Sequence, residues 1–227
     1  MNKTFTSKAE RTKHRLLETA MELFLKQGYE AATMRQIAKK AGMSPGAAYY
    51  YFPSKEHIIH HYYEEGYQEQ LAAAEKVLAK ERSLEKRLAG VIKARMETAR
   101  PYHSISRTLF KTAADPSHTI SPFSPASKEL RDENIQFYAR VIEGSATSTT
   151  GMPTKFRERL PELLWLYSMG IILYWIHDNS PEQEKTFALI DRSASLITRI
   201  IAASKIPGIK TIATKGVDMF DQFKPYE

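Results

Sequence analysis

The chain has 227 residues, of which 33 are Lys or Arg and 26 are Asp or Glu, giving a formal net charge of +7. Apolar residues make up 42% and charged residues 26%, a globular composition that excludes wholesale disorder. The absence of cysteine excludes disulfide scaffolds, thiolate metal sites and cysteine nucleophiles. Residues 1–5 lack the apolar core of a secretory signal, and the apolar run at 163–176 is shorter than the ~20 residues of a membrane span. We therefore expect a cytoplasmic protein with no membrane partner.

The positive charge is concentrated at the N-terminus. Residues 1–55 contain ten basic and four acidic side chains, whereas the remaining 172 residues contain 23 and 22. A basic segment attached to a nearly neutral body is typical of proteins that bind polyanions, although a solvated basic surface explains the same counts equally well.

Four helix starts are predicted in the first 60 residues, each by an N-cap side chain, in most cases with a capping-box partner or a following proline. They are Ser7 with Glu10, Thr33 with Gln36, Ser44 with Pro45, and Ser54. Gly28 and Gly42 suit the left-handed position that ends a helix, and they end the first and second helices.

Helical periodicity continues through the rest of the chain, and no strand-like alternation interrupts it. Helices are predicted from Ser83 to Arg100 and over 102–114, 127–143, 156–177 and 180–205, with Pro161 as a candidate kink. Segments 115–126 and 144–153 are rich in Pro, Ser, Thr or Gly and are predicted to be loops. The fold class is therefore all-α, and no structure is predicted for the 206–227 tail.

The second and third helices are short and are separated by a tight turn at Gly42, which is the spacing of a helix-turn-helix. The third helix begins with small residues over 44–48, which allow a close approach to DNA, and continues with three tyrosines over 49–51. Their rings suit thymine methyl groups and their hydroxyls suit phosphates. A purely structural helical hairpin remains the alternative on spacing alone.

The segment 12–59 resembles the N-terminal domain of the tetracycline-repressor (TetR) family. The matching positions include Ala20 and Phe24 before Gly28-Tyr29, then Thr33, Arg35, Ile37-Ala38 and Ala41-Gly42, then Ser44, Gly46, Tyr49, Tyr51-Phe52 and Lys55-Glu56. The resemblance covers about the first quarter of the chain. The remainder agrees only in being helical and of suitable length.

The resemblance implies a DNA-binding role for ten residues of this segment. Thr33, Tyr49, Tyr51 and Lys55 are expected to contact phosphates, and Arg35 a base or a phosphate. Tyr50 is expected to face the major groove, which the start of the third helix would approach through Ser44, Pro45, Gly46 and Ala47. Two positions depart from the family pattern: Tyr51 stands where His is frequent, and Ala48 where a larger aliphatic residue is usual. Both departures limit any inference about the operator sequence.

Two domains are expected, a helix-turn-helix DNA-binding domain over 1–55 and a helical effector-binding and dimerisation domain over 56–227. One helix-turn-helix buries only ~600–1,000 Å² on DNA, so two copies on a two-fold axis are expected to read a palindromic double-stranded operator. The helices near 156–178 and 181–205 are the predicted homodimer interface, because the first is apolar nearly all round. A monomeric core helix is the alternative reading of that apolar segment.

A small-molecule effector is expected to release the operator, as the resemblance implies for a repressor. Its predicted pocket lies between helices of the body, with five aromatic or methionine side chains as candidate lining, each of which is more often a core residue than a pocket wall. The five are Met96, Phe110, Phe137, Trp165 and Met169. The effectors of the family are mostly hydrophobic or cationic molecules.

Other constellations point more weakly to chemistry. His57 and His61 share a helix face and suit a zinc or nickel site, with a solvated helix as the alternative. His177-Asp178 lacks a nucleophile in sequence context, and no dinucleotide, Walker, HExxH or GxSxG motif is present. We therefore expect no metal, no cofactor and no enzymatic activity. An all-helical enzyme or small-molecule carrier with an incidental basic N-terminus is the competing hypothesis.

Overall fold

The computed structural model describes residues 7–224, and in this part of the chain all regular structure is helical. The α-helices are α1 (Lys8–Gln27), α2 (Met34–Lys40), α3 (Pro45–Tyr51), α4 (Lys55–Lys80), α5 (Leu84–Ala99), α6 (His103–Ala113), α7 (Lys128–Glu143), α8 (Thr154–Trp175), α9 (Glu184–Ala203) and α10 (Ile209–Phe223). The all-α prediction is confirmed. The tail for which no structure was predicted contains α10.

The predicted N-caps explain where the first helices begin. Ser7 and Glu10 form a complete capping box at α1, as do Thr33 and Gln36 at α2. The Ser44 hydroxyl accepts the Ala47 N–H at 3.2 Å at the start of α3, with Pro45 at its first turn. These side chains satisfy amide donors that have no partner within the helix.

One compact unit, the N-terminal unit, comprises the described residues up to Gly66 together with Pro101–Ser127. Its core is formed mainly by α1, α2 and the start of α4, and α6 packs against α1. Leu16, Phe24, Ile37 and Ile58 are fully buried there, with Leu109 of α6 almost fully buried beside them. A segment distant in sequence therefore completes the core on which the helix-turn-helix is built.

The other unit, the C-terminal unit, comprises Tyr67–Arg100 and the described residues from Lys128 onward. Here α7 packs on α8, α5 packs on α9, and α10 packs on α8. The continuous helix α4 begins in the N-terminal unit and ends in the C-terminal unit. The functional boundary after residue 55 stays a prediction.

Arg87 ties three helices of the C-terminal unit together. Its side chain is only 3% exposed, and its N–H groups donate to four backbone oxygens. Two of these acceptors, Leu78 O and Glu81 O, lie at the end of α4, and the others, Arg140 O and Val141 O, lie at the end of α7. The buried cation thus adds donors to backbone carbonyls at helix ends, of which Arg140 O also accepts from Gly144 N–H at 3.2 Å.

Within residues 7–224, no helix is both long and apolar enough to cross a membrane.

Candidate nucleic-acid interface and effector recess

The turn between α2 and α3 is held by backbone hydrogen bonds. Met43 N–H donates to Ala38 O at 3.0 Å, and Gly42 N–H donates to Lys39 O at 3.2 Å. Gly42 has φ +70°, a left-handed conformation that favours glycine. The geometry matches the predicted helix-turn-helix, in which α3 takes the position of the recognition helix.

The two sides of α3 differ sharply in burial. Pro45, Gly46, Tyr49 and Tyr50 are exposed, and their spacing places them on one continuous face of the helix. Tyr50 is 84% exposed, whereas Ala48 on the opposite side is fully buried in the core. We call the exposed set, with Ser44 before it, the α3 face.

The small residues of the α3 face leave open space around the backbone. A Cβ atom added at Gly46 would meet nothing within 4 Å. The Ser44 hydroxyl oxygen accepts a backbone hydrogen bond, which leaves its own O–H available as a donor. The start of α3 is therefore sterically accessible and retains a polar donor.

Two of the residues predicted to contact DNA are less exposed to solvent than the α3 face. Tyr51 is partly buried and packs against the N-terminal core, and Ala47 is also partly buried. The burial of Ala48 accounts for a small side chain there, since it lies between α3 and the core.

At α2, the Thr33 side chain caps the helix, whereas the basic side chains are exposed to solvent. Thr33 Oγ1 donates to Gln36 Oε1 at 3.0 Å and accepts from Gln36 N at 3.3 Å, so its hydroxyl proton is used inside the capping box. Arg35 is exposed, as are Lys39 and Lys40 on the same short helix. Arg35 is thus the predicted contact on α2 that is free to reach outward.

Lys55 is held by the protein itself. Its Nζ donates to Tyr29 O at 3.0 Å and to Glu30 O at 3.3 Å, and it lies 4.2 Å from the centroid of the Tyr29 ring. The side chain is 19% exposed. In this arrangement Lys55 fixes the start of α4 to the loop after α1. Its Nζ also lies 3.7 Å from Glu30 Oε2, so a phosphate would compete with that carboxylate.

A second hydrogen bond also joins the start of α4 to the loop after α1. The Tyr29 hydroxyl donates to Glu56 Oε1 at 2.8 Å. Burial raises the pKa of Tyr29, and its hydrogen bond to Glu56 raises it further. Burial acts to raise the pKa of Glu56 as well, but hydrogen bonds from Ser54 and Tyr29 outweigh that effect and lower it. The pair is therefore an ionised carboxylate that accepts from a neutral phenol.

A recess in the C-terminal unit is the candidate effector site. It lies between α4, α5 and α7, and its interior has room for about one water-sized molecule. We call it the α4–α5–α7 recess, and its lining consists of Tyr67, Gln70, Leu71, Ala74, Val91, Arg95, Asn134, Phe137 and Tyr138.

Of the five predicted effector residues, Phe137 lines the recess and the other four do not. Met96 and Trp165 are buried, and Met169 is partly buried. Phe110 belongs to the N-terminal unit and is not part of the recess lining. Sequence reasoning missed the other eight lining residues, and for Arg95 a signal was available, because it is a cation among the buried positions of α5.

The histidines of α4 have local partners. His57 Nδ1 lies 2.9 Å from Ser54 Oγ, and His61 is within ion-pair distance of Glu64 and Glu65. Among residues 7–224, no group of three or more His, Cys, Asp or Glu side chains is arranged to hold a metal ion.

The short helices α2 and α3, the tight turn at Gly42 and the exposed α3 face place the chain in the class of helix-turn-helix proteins. Residues 16–62 match the family model of bacterial regulatory proteins of the tetR family, and residues 87–219 match the tetracyclin repressor-like C-terminal domain. The chain belongs to the tetracycline repressor family, whose members are DNA-binding transcriptional regulators.

Similarity to two curated regulators extends over 49 residues, whereas similarity to solved structures extends over most of the chain. The chain is 43% identical over 49 residues to the HTH-type transcriptional regulator SrpR of Pseudomonas putida, a match that covers 22% of this chain and 23% of that protein. The TetR transcriptional regulator from Nitrosomonas europaea matches with a TM-score of 0.63 and 15% identity, over 82% of this chain and 97% of that one. A protein from Syntrophomonas wolfei assigned to the TetR family matches with a TM-score of 0.66 and 17% identity, over 83% and 95%.

Proposed function

We propose that this regulator is a cytoplasmic repressor that binds a palindromic operator as a homodimer and is released by a small-molecule effector. The observation that carries the proposal is the α3 face, where small side chains and two exposed tyrosines project from a helix anchored by the buried Ala48. Such a face enters a major groove without steric conflict, while the buried side keeps the helix from moving.

The charges around the α3 face favour a polyanion. Arg35, Lys39 and Lys40 are exposed on α2, the helix that packs on α3, and Lys40 forms an ion pair with Glu22 at 2.5 Å. Contacts from such cations to phosphates position the protein, and contacts from Tyr50 and the start of α3 would read the bases. The binding affinity is therefore expected to fall steeply with salt.

Exposed apolar side chains on α8 and α9 support a two-fold dimer. Leu173 and Tyr174 of α8 are 46% and 42% exposed, and Leu196 and Ile200 of α9 are 59% and 52% exposed. On α8 the exposed Gly170 lies one turn before this pair, and a Cβ there would meet nothing within 4 Å. Two such helices from each subunit would form a four-helix interface that buries these side chains.

The α4–α5–α7 recess is the proposed effector site. The C-terminal half of α4 contributes to its wall, and the same helix starts in the N-terminal unit. A ligand that prefers one position of α4 shifts the population toward the form that does not bind the operator. Moving a 1:99 population to 99:1 requires a preference of ~10⁴-fold.

A mobility-shift titration with the DNA upstream of the protein's own gene tests the proposal. The protein is expected to bind a discrete palindromic segment there, with two protected half-sites ~34–36 Å apart, or a multiple of that distance. A duplex with both half-sites scrambled is the matched control. Equal affinity for the two duplexes at physiological salt would contradict the proposal.

A further inference from the structure

The α4–α5–α7 recess has an apolar wall and a single formal charge in its lining. Leu71, Val91 and Phe137 provide apolar surface, and Arg95 on α5 is the charged member. Apolar surface with one cationic group is the arrangement that fixes the orientation of a ligand with two chemically different ends.

Arg95 has no acidic partner among the residues that the structure describes. Its guanidinium interacts with the hydroxyls of Tyr138 and Tyr67, and burial lowers the pKa of Arg95 more than these hydroxyls raise it. The carboxylate of Glu75 is paired with Arg140, and Glu133 is exposed to solvent. A partly buried guanidinium without a counter-charge is costly, and an anion in the recess would relieve that cost.

The polar groups beside Arg95 are compatible with an anion. The Tyr67 hydroxyl donates to Glu133 O at 3.3 Å, and the Asn134 amide donates to Leu130 O at 2.7 Å, so both side chains are held in place by backbone acceptors. Tyr138 is 2% exposed, and its hydroxyl lies beside the guanidinium. The Arg95 guanidinium therefore supplies the charged donors that a carboxylate accepts, and the Tyr138 hydroxyl lies beside it.

We propose that the effector of the α4–α5–α7 recess is an anionic small molecule, with a carboxylate or similar group at Arg95 and an apolar body against Phe137, Leu71 and Val91. This inference rests on the proposed function, which assigns the effector site to the same recess. It differs from the expectation of hydrophobic or cationic effectors that the family resemblance gave.

Entry of such a molecule requires the recess to widen, because its interior now has room for about one water-sized molecule. The ends of α4 and α7 are tied to Arg87, so the recess widens at its opposite end, toward Tyr67. That end of α4 is the one that leads back to the N-terminal unit. A ligand therefore enters the recess only when this end of α4 is displaced.

Matched fragment triplets test the inference on the full-length protein. Each triplet has one apolar body bearing a carboxylate, an alcohol or an amine, for example octanoate, octanol and octylamine, or benzoate, benzyl alcohol and benzylamine. Binding is measured by ligand-observed NMR and calorimetry. The carboxylates are expected to bind about tenfold to a hundredfold more tightly than the alcohols, and the amines most weakly.

Variants of one helix supply the controls. Arg95→Gln is expected to abolish the carboxylate preference, Arg95→Lys to retain part of it, and Lys93→Gln to leave it unchanged because Lys93 pairs with Asp191 at the surface. Thermal unfolding checks that each variant is folded. An unchanged preference in folded Arg95→Gln, tighter binding of alcohols or amines by the wild type, or no binding of any fragment would overturn the inference.

The same fragments separate this inference from the proposed function. Release of operator DNA by a neutral or cationic fragment would leave the repressor proposal standing and overturn the anionic effector. Carboxylate binding at Arg95 without any change in operator affinity would support the anionic site and contradict the effector-release part of the proposed function.

Discussion

The N-terminal and C-terminal units differ in where their candidate functional and structural polar residues lie. In the N-terminal unit they lie on the surface, since the α3 face and Arg35 are exposed while the core beneath is apolar. In the C-terminal unit they lie inside, where Arg87 and Arg95 are cations within a helical bundle. Surface residues suit a large, rigid partner such as a duplex, and interior residues suit a small molecule that the protein surrounds.

The largest expected effect comes from disrupting the proposed dimer interface in the C-terminal unit, which lowers the operator affinity of the N-terminal unit. Ile200→Glu places a charge on the exposed apolar surface of α9, so we expect dissociation to monomers and a loss of operator affinity of about a thousandfold, as one half-site is left unread. Analytical ultracentrifugation and a mobility-shift titration measure both effects. Leu25→Glu, an equally exposed apolar position in α1, is the control and is expected to remain dimeric. A dimeric Ile200→Glu variant would remove α9 from the interface.

A charge on the α3 face tests the surface of the N-terminal unit directly. Gly46→Glu fits the open space at this position without strain, but it opposes phosphates, and we expect operator affinity to fall about a hundredfold. Gly46→Ala is the matched control, with the same fold and less than about a threefold change in affinity. Fluorescence anisotropy measures both, and thermal unfolding confirms that they are folded. Wild-type affinity in Gly46→Glu would show that α3 does not enter the groove.

The interior cation of the C-terminal unit is expected to matter for stability. Arg87→Met removes donors from the backbone carbonyls at the ends of α4 and α7, and we expect a loss of about 3 kcal/mol in the free energy of unfolding. Urea denaturation measures it. Lys86→Met, at an exposed position of the same helix, is expected to stay within about 0.5 kcal/mol of wild type. A similar result for both variants would contradict the structural role of Arg87.

Acid should weaken the C-terminal unit through Asp178. This carboxylate is 6% exposed and accepts from the N–H and hydroxyl groups of Ser180 and Thr186. Burial acts to raise its pKa, but these hydrogen bonds outweigh burial and lower the pKa from 3.8 to about 2. Because the pKa is lower in the folded state, the stabilisation is present above pH ~4 and is lost as the pH falls toward ~2.

The corresponding variant makes this effect measurable. Asp178→Asn is expected to cost about 2 kcal/mol at pH 7 and progressively less between pH ~4 and ~2. Urea denaturation across this pH range measures the difference from wild type. Asp191→Asn, at an exposed ion pair with Lys93, is the control. A cost for Asp178→Asn that does not change with pH would show that the carboxylate charge is not the stabilising feature.

The sequence predicts the N-terminal helices well because their determinants are local. Ser7, Thr33 and Ser44 accept hydrogen bonds from amides three residues away. The residues that start α1, α2 and α3 are therefore close together in the sequence and can be identified from it. The exposure of Tyr50 and Gly46 follows from the same short helix, whose opposite side carries the buried Ala48.

Long-range packing explains what the sequence did not predict. The position of α6 against α1, the recess lined by Arg95 and the capture of Lys55 by Tyr29 O all join segments that are distant along the chain. Helical periodicity identifies which side of α5 is buried, but it does not state that Arg95 lies beside α4 and α7. The acceptors that hold Lys55 are not evident from the sequence for the same reason, and its contact with a phosphate stays a prediction.

The most direct test of the central claim is the salt dependence of binding to the palindromic operator and to a scrambled duplex of the same length. We expect the operator to be bound at least about a thousandfold more tightly at physiological salt, with both affinities falling steeply as salt rises. In Gly46→Glu the operator advantage is expected to collapse. Equal binding of the two duplexes by the wild type, or weak binding that is insensitive to salt, would contradict a sequence-reading role for the α3 face.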